Sequence, residues 1–296
     1  MAPVTASRRD APPAASVIIP ALNAAATLPC QLDALADQQD APPFEVIVAD
    51  NGSTDDTRPT AAAYHGVLDL LLIDASARPG PGPARNTGAR RANAPLVLFC
   101  DADDRVGRRW VRGLVDELQR HRLVTGPVIP AGPAPVTAIP DDFPTPPPGV
   151  TRRFVNRVPY AAANNLGIRR AYFESLNGFD ERMVRSEDLD LCVRAYLDGC
   201  GIGWAAEAVI LRSERAMLRH VARQWFDWGY YDAFAYRKFR YRIEPPLTVA
   251  EIVRPYLALA GRSYRLATRQ RRWWVRNAAY RAGRLTGSVR AGVFCP

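Results

Sequence analysis

The chain has 296 residues, 48% of them hydrophobic and 23% charged, with a formal net charge of +9. This is the composition of an ordinary globular protein long enough to bury a large core, and it excludes a disordered, collagenous or membrane-spanning class. The charge is uneven: after Glu251 there is no acid while ten arginines follow, and the rest of the chain is nearly neutral, with 29 basic residues against 30 acids.

The start, MAPVTASRRDAPPAAS, carries paired arginines, but Pro12 and Pro13 interrupt any apolar core, so residues 1–15 read as a disordered lead-in rather than an export signal. Cys30, Cys100, Cys192, Cys200 and Cys295 are odd in number and form no CxxC pair. A disulfide framework or zinc site is therefore not expected, and a reducing cytoplasm is the simpler setting. No stretch reaches the roughly 18 apolar residues that a membrane span needs, so the expectation is a soluble or peripheral protein.

Ser16 to Pro20 (SVIIP) reads as a first buried strand, and Thr27 to Asp37 has helical spacing at Leu28, Leu32 and Leu35. Phe44 to Ala49 (FEVIVA) is a second strand, closing on Asp50, Asn51, Gly52, Ser53 and Thr54, and Leu68 to Ile73 is a weaker third. Strands alternating with helical stretches at this spacing predict βαβ units and a mostly parallel sheet. The segment from Arg78 to Arg91 mixes Gly80, Gly82 and Gly88 with Arg85, Asn86, Arg90 and Arg91 and reads as a loop before a helix. Glycine lets backbone approach a phosphate, and arginine supplies a two-pronged donor, so Arg85 and Asn86 are candidate ligand contacts. Arg90 and Arg91 read as a solvated helix face.

Leu96 to Arg105 (LVLFCDADDR) organises the rest: five apolar residues run straight into Asp101, Asp103 and Asp104. Such a run predicts a central parallel strand, whose carboxyl end is where open α/β sheets bind ligands. Acids clustered there suit a hard divalent ion carrying a diphosphate, although a plain strand-end turn uses the same residue type. Nine prolines between Gly126 and Gly149 exclude a regular helix or interior strand and predict an extended surface connector. Beyond it, Asn164 to Ile168 reads as a strand and Tyr172, Phe173 and Leu176 as a helix face. Ser186, Glu187 and Asp188 then open a helix with apolar positions at Leu189, Cys192, Val193, Tyr196 and Leu197. These acids either do chemistry or, with Ser186 as the cap, complement the helix dipole.

Together, SVIIPALN (16–23), VIVADNGSTDDT (46–57), ARNTGARRA (84–92), LVLFCDADD (96–104), NNLGIRRAYFESLNGFDE (164–181) and SEDLDLCVRAYLDG (186–199) resemble the large family two of inverting nucleotide-sugar glycosyltransferases. The resemblance covers about residues 16 to 240, and it is the order of the blocks that makes it specific. It implies an α/β fold: a single A-type glycosyltransferase domain over 16–240, with a mostly parallel Rossmann-like sheet flanked by helices. Within it lie a nucleotide-binding half (16–125), the Pro-rich connector (126–149) and an acceptor half (150–240), followed by a basic helical C-terminal extension (241–296). The resemblance places Pro20 and Asn23 beside the nucleotide, and Asp50 at the base with Gly52 and Ser53 in the same turn. It gives Arg85 and Asn86 to the nucleotide, Asp101 and Asp103 to a metal-diphosphate, and Glu187 and Asp188 to catalysis, Asp188 as general base. The implied cofactor is Mn2+ or Mg2+, the substrates a nucleotide-sugar donor and a hydroxyl acceptor, which could be a glycan, a lipid-linked sugar or a small molecule. A carboxylate is needed because a hydroxyl is a poor nucleophile until its proton is taken.

The family often has a histidine after the strand that follows the Glu-Asp helix. Here the strand Ala208 to Leu211 runs into Arg212, Ser213 and Glu214, and His220 falls later, on a helix. Fewer protein ligands, replacement by Glu214, or Arg212 facing the diphosphate are the alternatives. The rival functions are a catalytically silent nucleotide-sugar or carbohydrate-binding module and a nucleotidyltransferase, whose glycine-rich, basic signature is absent from PALNAAATLP.

In the tail, Arg262, Arg265, Arg269, Arg272 and Arg276 are spaced so that a single helix would place them on one face, with Trp273, Trp274 and Tyr280 among them. That pattern suits an anionic membrane surface, at the inner face of the membrane, or a helix packed on the body by Leu266 and the tryptophans. No nucleic acid is expected, since no recognised nucleic-acid module accompanies the charge. Trp225, Phe226, Trp228, Tyr230 and Tyr231 are either core or an acceptor-side wall.

Overall fold

The computed structural model describes residues 11–131, 152–153, 158–214, 217–242, 248–268 and 270–295. Its first half is the expected alternation: β1 (Ala15–Ala21), α1 (Leu28–Ala36), β2 (Phe44–Asp50), α2 (Thr57–Ala62), β3 (Leu70–Asp74), α3 (Pro81–Arg91), β4 (Leu96–Phe99), β5 (Arg105–Val106) and α4 (Trp110–Leu118). There follow β6 (Leu123–Thr125), β7 (Val128–Pro130), β8 (Arg152–Arg153), β9 (Val158–Pro159), β10 (Leu166–Arg169), α5 (Arg170–Ser175), α6 (Glu187–Leu197), β11 (Ile202–Trp204) and β12 (Ile210–Arg212). Last come α7 (Leu218–Phe239), α8 (Val249–Ala260) and α9 (Arg271–Ala291).

The seven-stranded sheet has the order β11-β6-β10-β4-β1-β2-β3. β1 lies parallel to β2 and β4, whereas β10 is antiparallel to both β4 and β6. The sheet is thus mostly parallel and covered on both faces, which is why β1, β2 and β4 are mostly apolar; the buried exceptions Ser16 and Glu45 pair with each other, Ser16 Oγ donating to Glu45 Oε1 at 2.6 Å. Val17, Ile19, Val46, Val48 and Leu98 face a core closed by α1 and α4, while Ile18, Ile47, Val97 and Phe99 face the layer of α3, α5 and α6. In that second layer Phe99, Phe173 and Phe179 form a ring cluster with centroids 5.2–5.4 Å apart.

Two expectations need correction, and a third feature of the tail was unforeseen in its detail. The segment 78–91 is not a loop: α3 begins at Pro81. Pro81 and Pro83 fall in its first turn, where backbone N–H groups have no partner within the helix, so the prolines start the helix instead of breaking it. Gly88 lets α3 lie on the sheet, because a Cβ there would meet Ile18 Cγ2 at 2.5 Å. Next, the basic stripe is not one helix: Arg262 and Arg265 belong to a turn and a short 3-10 segment after α8, while Arg272 and Arg276 are on α9. Arg265 stacks 4.4 Å from the Trp273 ring and Arg276 4.7 Å from Trp225, and Arg269 lies outside the described residues. Finally, α9 packs backbone to backbone on α7: a Cβ at Gly229, Gly283 or Gly287 would sit 1.9, 2.0 or 2.3 Å from a carbonyl of the facing helix.

The last expected strand is displaced by a residue or two, to β12. β7, with Pro130, is an edge strand of the small β5-β12-β7 sheet, as proline requires. The remainder of the Pro-rich connector, from 132 to 149, and residues 1–10 of the lead-in lie outside the described residues. All five cysteines are free thiols. Among the described residues no helix is long and apolar enough to cross a membrane.

Candidate active site

A cleft of about 550 Å3 opens where the carboxyl ends of β1 and β4 meet the start of α3, the start of α6 and one face of α7. It brings together Pro20, Asn23, Arg85, Asp101, Asp103, Glu187 and Asp188, residues spread over most of the chain. Arg85 is its electrostatic hub. The side chain is 4% exposed, and its guanidinium donates to Glu187 Oε1 at 2.7 Å and to Asp101 Oδ1 at 2.5 Å. Burial works against the Arg85 charge, but the two carboxylates outweigh it and hold the group protonated well beyond its usual range. Its Nε is buried without a partner among the described residues. Burial, reinforced by the neighbouring Asp188 charge, pushes the Glu187 carboxyl up to about 7 despite Arg85.

Asp188, one residue on, is only half-buried and has a different environment. Its Oδ2 accepts from Tyr160 Oη at 2.6 Å and from the Ala163 amide at 3.2 Å, and its Oδ1 from the Leu189 amide at 2.8 Å. Across the cleft Asp104 is buried, accepting from Asn164 Nδ2 at 2.6 Å and from the Ser213 amide at 3.2 Å. Burial first, then the charges of Asp101 and Asp103, raise its carboxyl well above the usual range. Three acids at the end of β4 thus crowd enough negative charge together to call for a cation or donors.

The other expected site residues lie around this cleft rather than on it. Asp50 is buried, its carboxylate taken by Arg58 at 3.0 Å and the Ser53 amide at 3.2 Å. Ser53 Oγ accepts from the Asn23 amide, and Asn23 Oδ1 accepts from the Thr54 amide, so this network, with Gly52 in the same turn, ties the loop after β1 to the loop after β2. Asn23 has a left-handed backbone, φ 50°, and is the member of the network that reaches the cleft. Asn86 points to the opposite side of α3, where its amide brackets Phe179: Nδ2 donates to the Phe179 carbonyl and Oδ1 accepts from the Phe179 amide, both at 2.9 Å. Neither Asp50 nor Asn86 touches the cleft. His220 is exposed at the start of α7 and is not part of it either, whereas Arg212 and Ser213 are.

The profile described as "Glycosyl transferase family 2" matches residues 16–176, more than half of the 296 residues. The chain belongs to glycosyl transferase family 2. Among relatives of this family-2 protein, validoxylamine A glucosyltransferase of Streptomyces hygroscopicus subsp. limoneus is 38% identical over 131 residues, 43% of this chain and 26% of that one. The O-antigen chain rhamnosyltransferase RfbN of Salmonella typhimurium is 26% identical over 230 residues, 74% of this chain and 72% of its own. The alignment spans about a quarter of the length of the Streptomyces relatives. In three dimensions it is similar to the mannosyltransferase PcManGT from Pyrobaculum calidifontis in complex with GDP-Man and Mn2+, with a TM-score of 0.65 at 18% identity over 94% of this chain and 88% of that one. It is also similar to Staphylococcus aureus TarS 1-349 in complex with UDP-GlcNAc, with a TM-score of 0.53 at 19% identity over 94% and 92%. At these identities the likeness is one of fold, the A-type glycosyltransferase fold.

Does this family-2 cleft suit a divalent ion? Among the described residues no group of three or more His, Cys, Asp or Glu is arranged to hold a metal. Magnesium-like ions are, however, held by one or two carboxylates with substrate phosphates and water completing the shell. Asp101, a third exposed, and Asp103, on the cleft wall, are the oxygen donors of that kind, and the charge they place on Asp104 is what a cation would relieve. The donor set fits.

Sequence reasoning missed four contributors, Tyr160, Asn164, Gln224 and Asp232, and left Trp228 open between core and acceptor-side wall. Tyr160 and Asn164 steady Asp188 and Asp104, and a lone tyrosine or asparagine carries no spacing that would reveal this. Gln224, Trp228 and Asp232 line the cleft from one face of α7, and there a signal existed: they recur every four residues. Trp228 thus belongs to the wall of the site, whereas Trp225 packs against Tyr280 of α9.

Proposed function

We propose that this family-2 chain transfers a sugar from a nucleotide-diphosphate sugar to a hydroxyl acceptor with inversion at the anomeric carbon, and that Asp188 is the general base. The observation that carries this reading is the convergence of Asp188 with Asp101, Asp103 and Arg85 on one cleft. Asp188 takes the acceptor's hydroxyl proton as the acceptor oxygen attacks the anomeric carbon. The bond from that carbon to the diphosphate breaks, and the nucleoside diphosphate leaves with the electron pair. Attack opposite the leaving group inverts the centre. Asp101 and Asp103 would hold Mn2+ or Mg2+, which when bound offsets charge on the departing diphosphate. Tyr160 and the Ala163 amide keep the Asp188 carboxylate oriented, so its geometry is set before substrate arrives. Asn23, Pro20 and the start of α3 form the nucleotide side of the cleft, and the α7 face forms the acceptor side. Asp50 acts on the nucleotide side through Ser53 and Asn23.

Similar structures hold guanosine and uridine sugars, so a donor screen includes both classes. Thermal-shift measurements with GDP- and UDP-sugars, with and without manganese, identify the donor. Asp188→Asn is then expected to lower turnover at least about 100-fold while donor binding stays within two-fold. Undiminished turnover would remove Asp188 from the role of base. The basic extension is the part suited to an anionic membrane surface, with Arg262, Arg265, Arg272 and Arg276 among its charges. Reaching a lipid-linked acceptor would give that surface a purpose.

A further inference from the structure

A buried carboxylate on α7 links the cleft to α9. Asp232, on α7, is 5% exposed and lines the cleft. Its Oδ1 accepts from Ser186 Oγ at 2.8 Å, and its Oδ2 from Tyr280 Oη of α9 at 2.5 Å. Ser186 immediately precedes Glu187 and Asp188, and its backbone is left-handed, at φ 61° and ψ 24°. That region is unfavourable for serine, since its Cβ crowds the following carbonyl, and residues stay in it only where their surroundings over-determine them. Here the over-determination is visible. The hydroxyl that would otherwise cap α6 makes no cap hydrogen bond and is drawn to Asp232 instead. Tyr280 in turn is fixed in place, because Gly229 of α7 beds directly against its carbonyl.

We propose that Asp232 and Tyr280 are positioning residues for Asp188. Tyr280 orients Asp232, Asp232 holds Ser186 in its left-handed turn, and that turn starts α6 so that the Asp188 carboxylate meets Tyr160 and the Ala163 amide facing the cleft. The inference rests on the reading of Asp188 as general base. It makes α9, more than ninety residues beyond the end of the family match at 176, part of the catalytic apparatus rather than an appendage.

The test uses the full chain and compares Tyr280→Phe, Ser186→Gly and Ser186→Ala with wild type. Tyr280→Phe keeps the ring against Trp225 and removes only the hydroxyl. Tyr256→Phe is the control in the same extension, because the Tyr256 hydroxyl is buried without a partner among the described residues. With the donor found by the screen above, Tyr280→Phe is expected to lower kcat about ten-fold, since a small misplacement of the base acts on the chemical step. Donor Kd stays at the wild-type value, the melting temperature falls no further than the loss of one buried hydrogen bond accounts for, and Tyr256→Phe changes nothing. Ser186→Gly accommodates the left-handed backbone yet lacks the hydroxyl, so it too is expected to lose kcat, as is Ser186→Ala; if backbone strain alone mattered, the glycine variant would match wild type. Independently of turnover, hydrogen exchange over residues 186–192 is expected to quicken in Tyr280→Phe. Wild-type kcat and exchange in Tyr280→Phe, or an equal loss in Tyr256→Phe, overturns the proposal. If the wild-type chain turns over no donor, the general-base reading fails, while exchange still decides whether Tyr280 holds the turn.

Discussion

Replacing Arg85 by methionine probes the charge arrangement at the centre of the cleft. Methionine keeps the unbranched apolar stem but removes the cation that faces Glu187 at 2.7 Å and Asp101 at 2.5 Å. Glu187 bears most of the consequence, because its side chain is 8% exposed against 34% for Asp101. With arginine present, the Glu187 carboxyl is already raised from 4.5 to about 7, by burial first and then by Asp188. The folded protein therefore holds a proton that the unfolded chain releases across that window, and folding stability from this group falls as pH rises through it. At about 1.4 kcal/mol per unit the fall amounts to about 3 kcal/mol. Without Arg85 the folded value climbs further, so the loss continues above pH 7. At pH 5 Glu187 is largely protonated in both proteins, and the substitution costs little more than its hydrogen bonds, about 1–3 kcal/mol. At pH 8 it leaves a buried carboxylate without its cation, and the cost grows toward about 3–5 kcal/mol. Urea unfolding of wild type, Arg85→Met and the double variant Arg85→Met/Glu187→Gln at pH 5, 7 and 8 reads this directly. The penalty of the single variant should grow with pH, and the second substitution should flatten it. A penalty equal at pH 5 and pH 8 would refute the assignment of Glu187 as the coupled group.

Asn86→Ala is expected to destabilise by about 2 kcal/mol, since the Phe179 amide and carbonyl both lose their buried partner, while donor Kd stays unchanged; weakened donor binding in a variant of wild-type stability would reverse that reading. Gly283→Ala puts a Cβ 2.0 Å from the Phe226 carbonyl, and the helices must part, at a cost of about 1–3 kcal/mol visible in thermal melts followed by circular dichroism. An unshifted melt would show that α9 does not rest on α7. Val253→Glu with Leu257→Glu adds two acids to exposed apolar positions of α8, 41% and 67% exposed, and is expected to abolish co-sedimentation with vesicles of phosphatidylcholine and phosphatidylglycerol if the extension docks on anionic lipid. Equal binding to pure phosphatidylcholine, or none by wild type, argues against that surface.

How much of this was legible in the sequence follows from which interactions are local. β1, β2 and β4 were readable because a parallel strand covered on both faces must be largely apolar, and SVIIP, FEVIVA and LVLFC are, Ser16 and Glu45 apart. The chain from Arg78 to Arg91 was misread because glycine and proline are punctuation in isolation. Only the sheet shows that Pro81 and Pro83 sit in a first turn and that Gly88 leaves room for Ile18. The tail was misread for the opposite reason: arginines at intervals of three and four satisfy a helix pattern whether or not the backbone is helical, and nothing local announces the break after α8.

The site divides the same way. Acids at strand ends and helix starts were visible because topology sends those ends to one edge of the sheet, and Asp101, Asp103, Glu187 and Asp188 do meet there. What each neighbour does was not visible, because it depends on partners far away in sequence. Arg85 and Asn86 are adjacent, yet on a helix adjacent residues point about 100° apart. One therefore turns into the cleft to bridge Asp101 and Glu187, and the other turns away to hold Phe179. Asp50 ends a strand of the same sheet as Asp101, but Arg58, eight residues on, neutralises it, and its hydrogen bond to the Ser53 amide joins it to Asn23, which lines the cleft. Asp103 and Asp188 face the cleft, whereas Asp50 is held behind it, and that contrast is set by side chains that no single block of sequence contains.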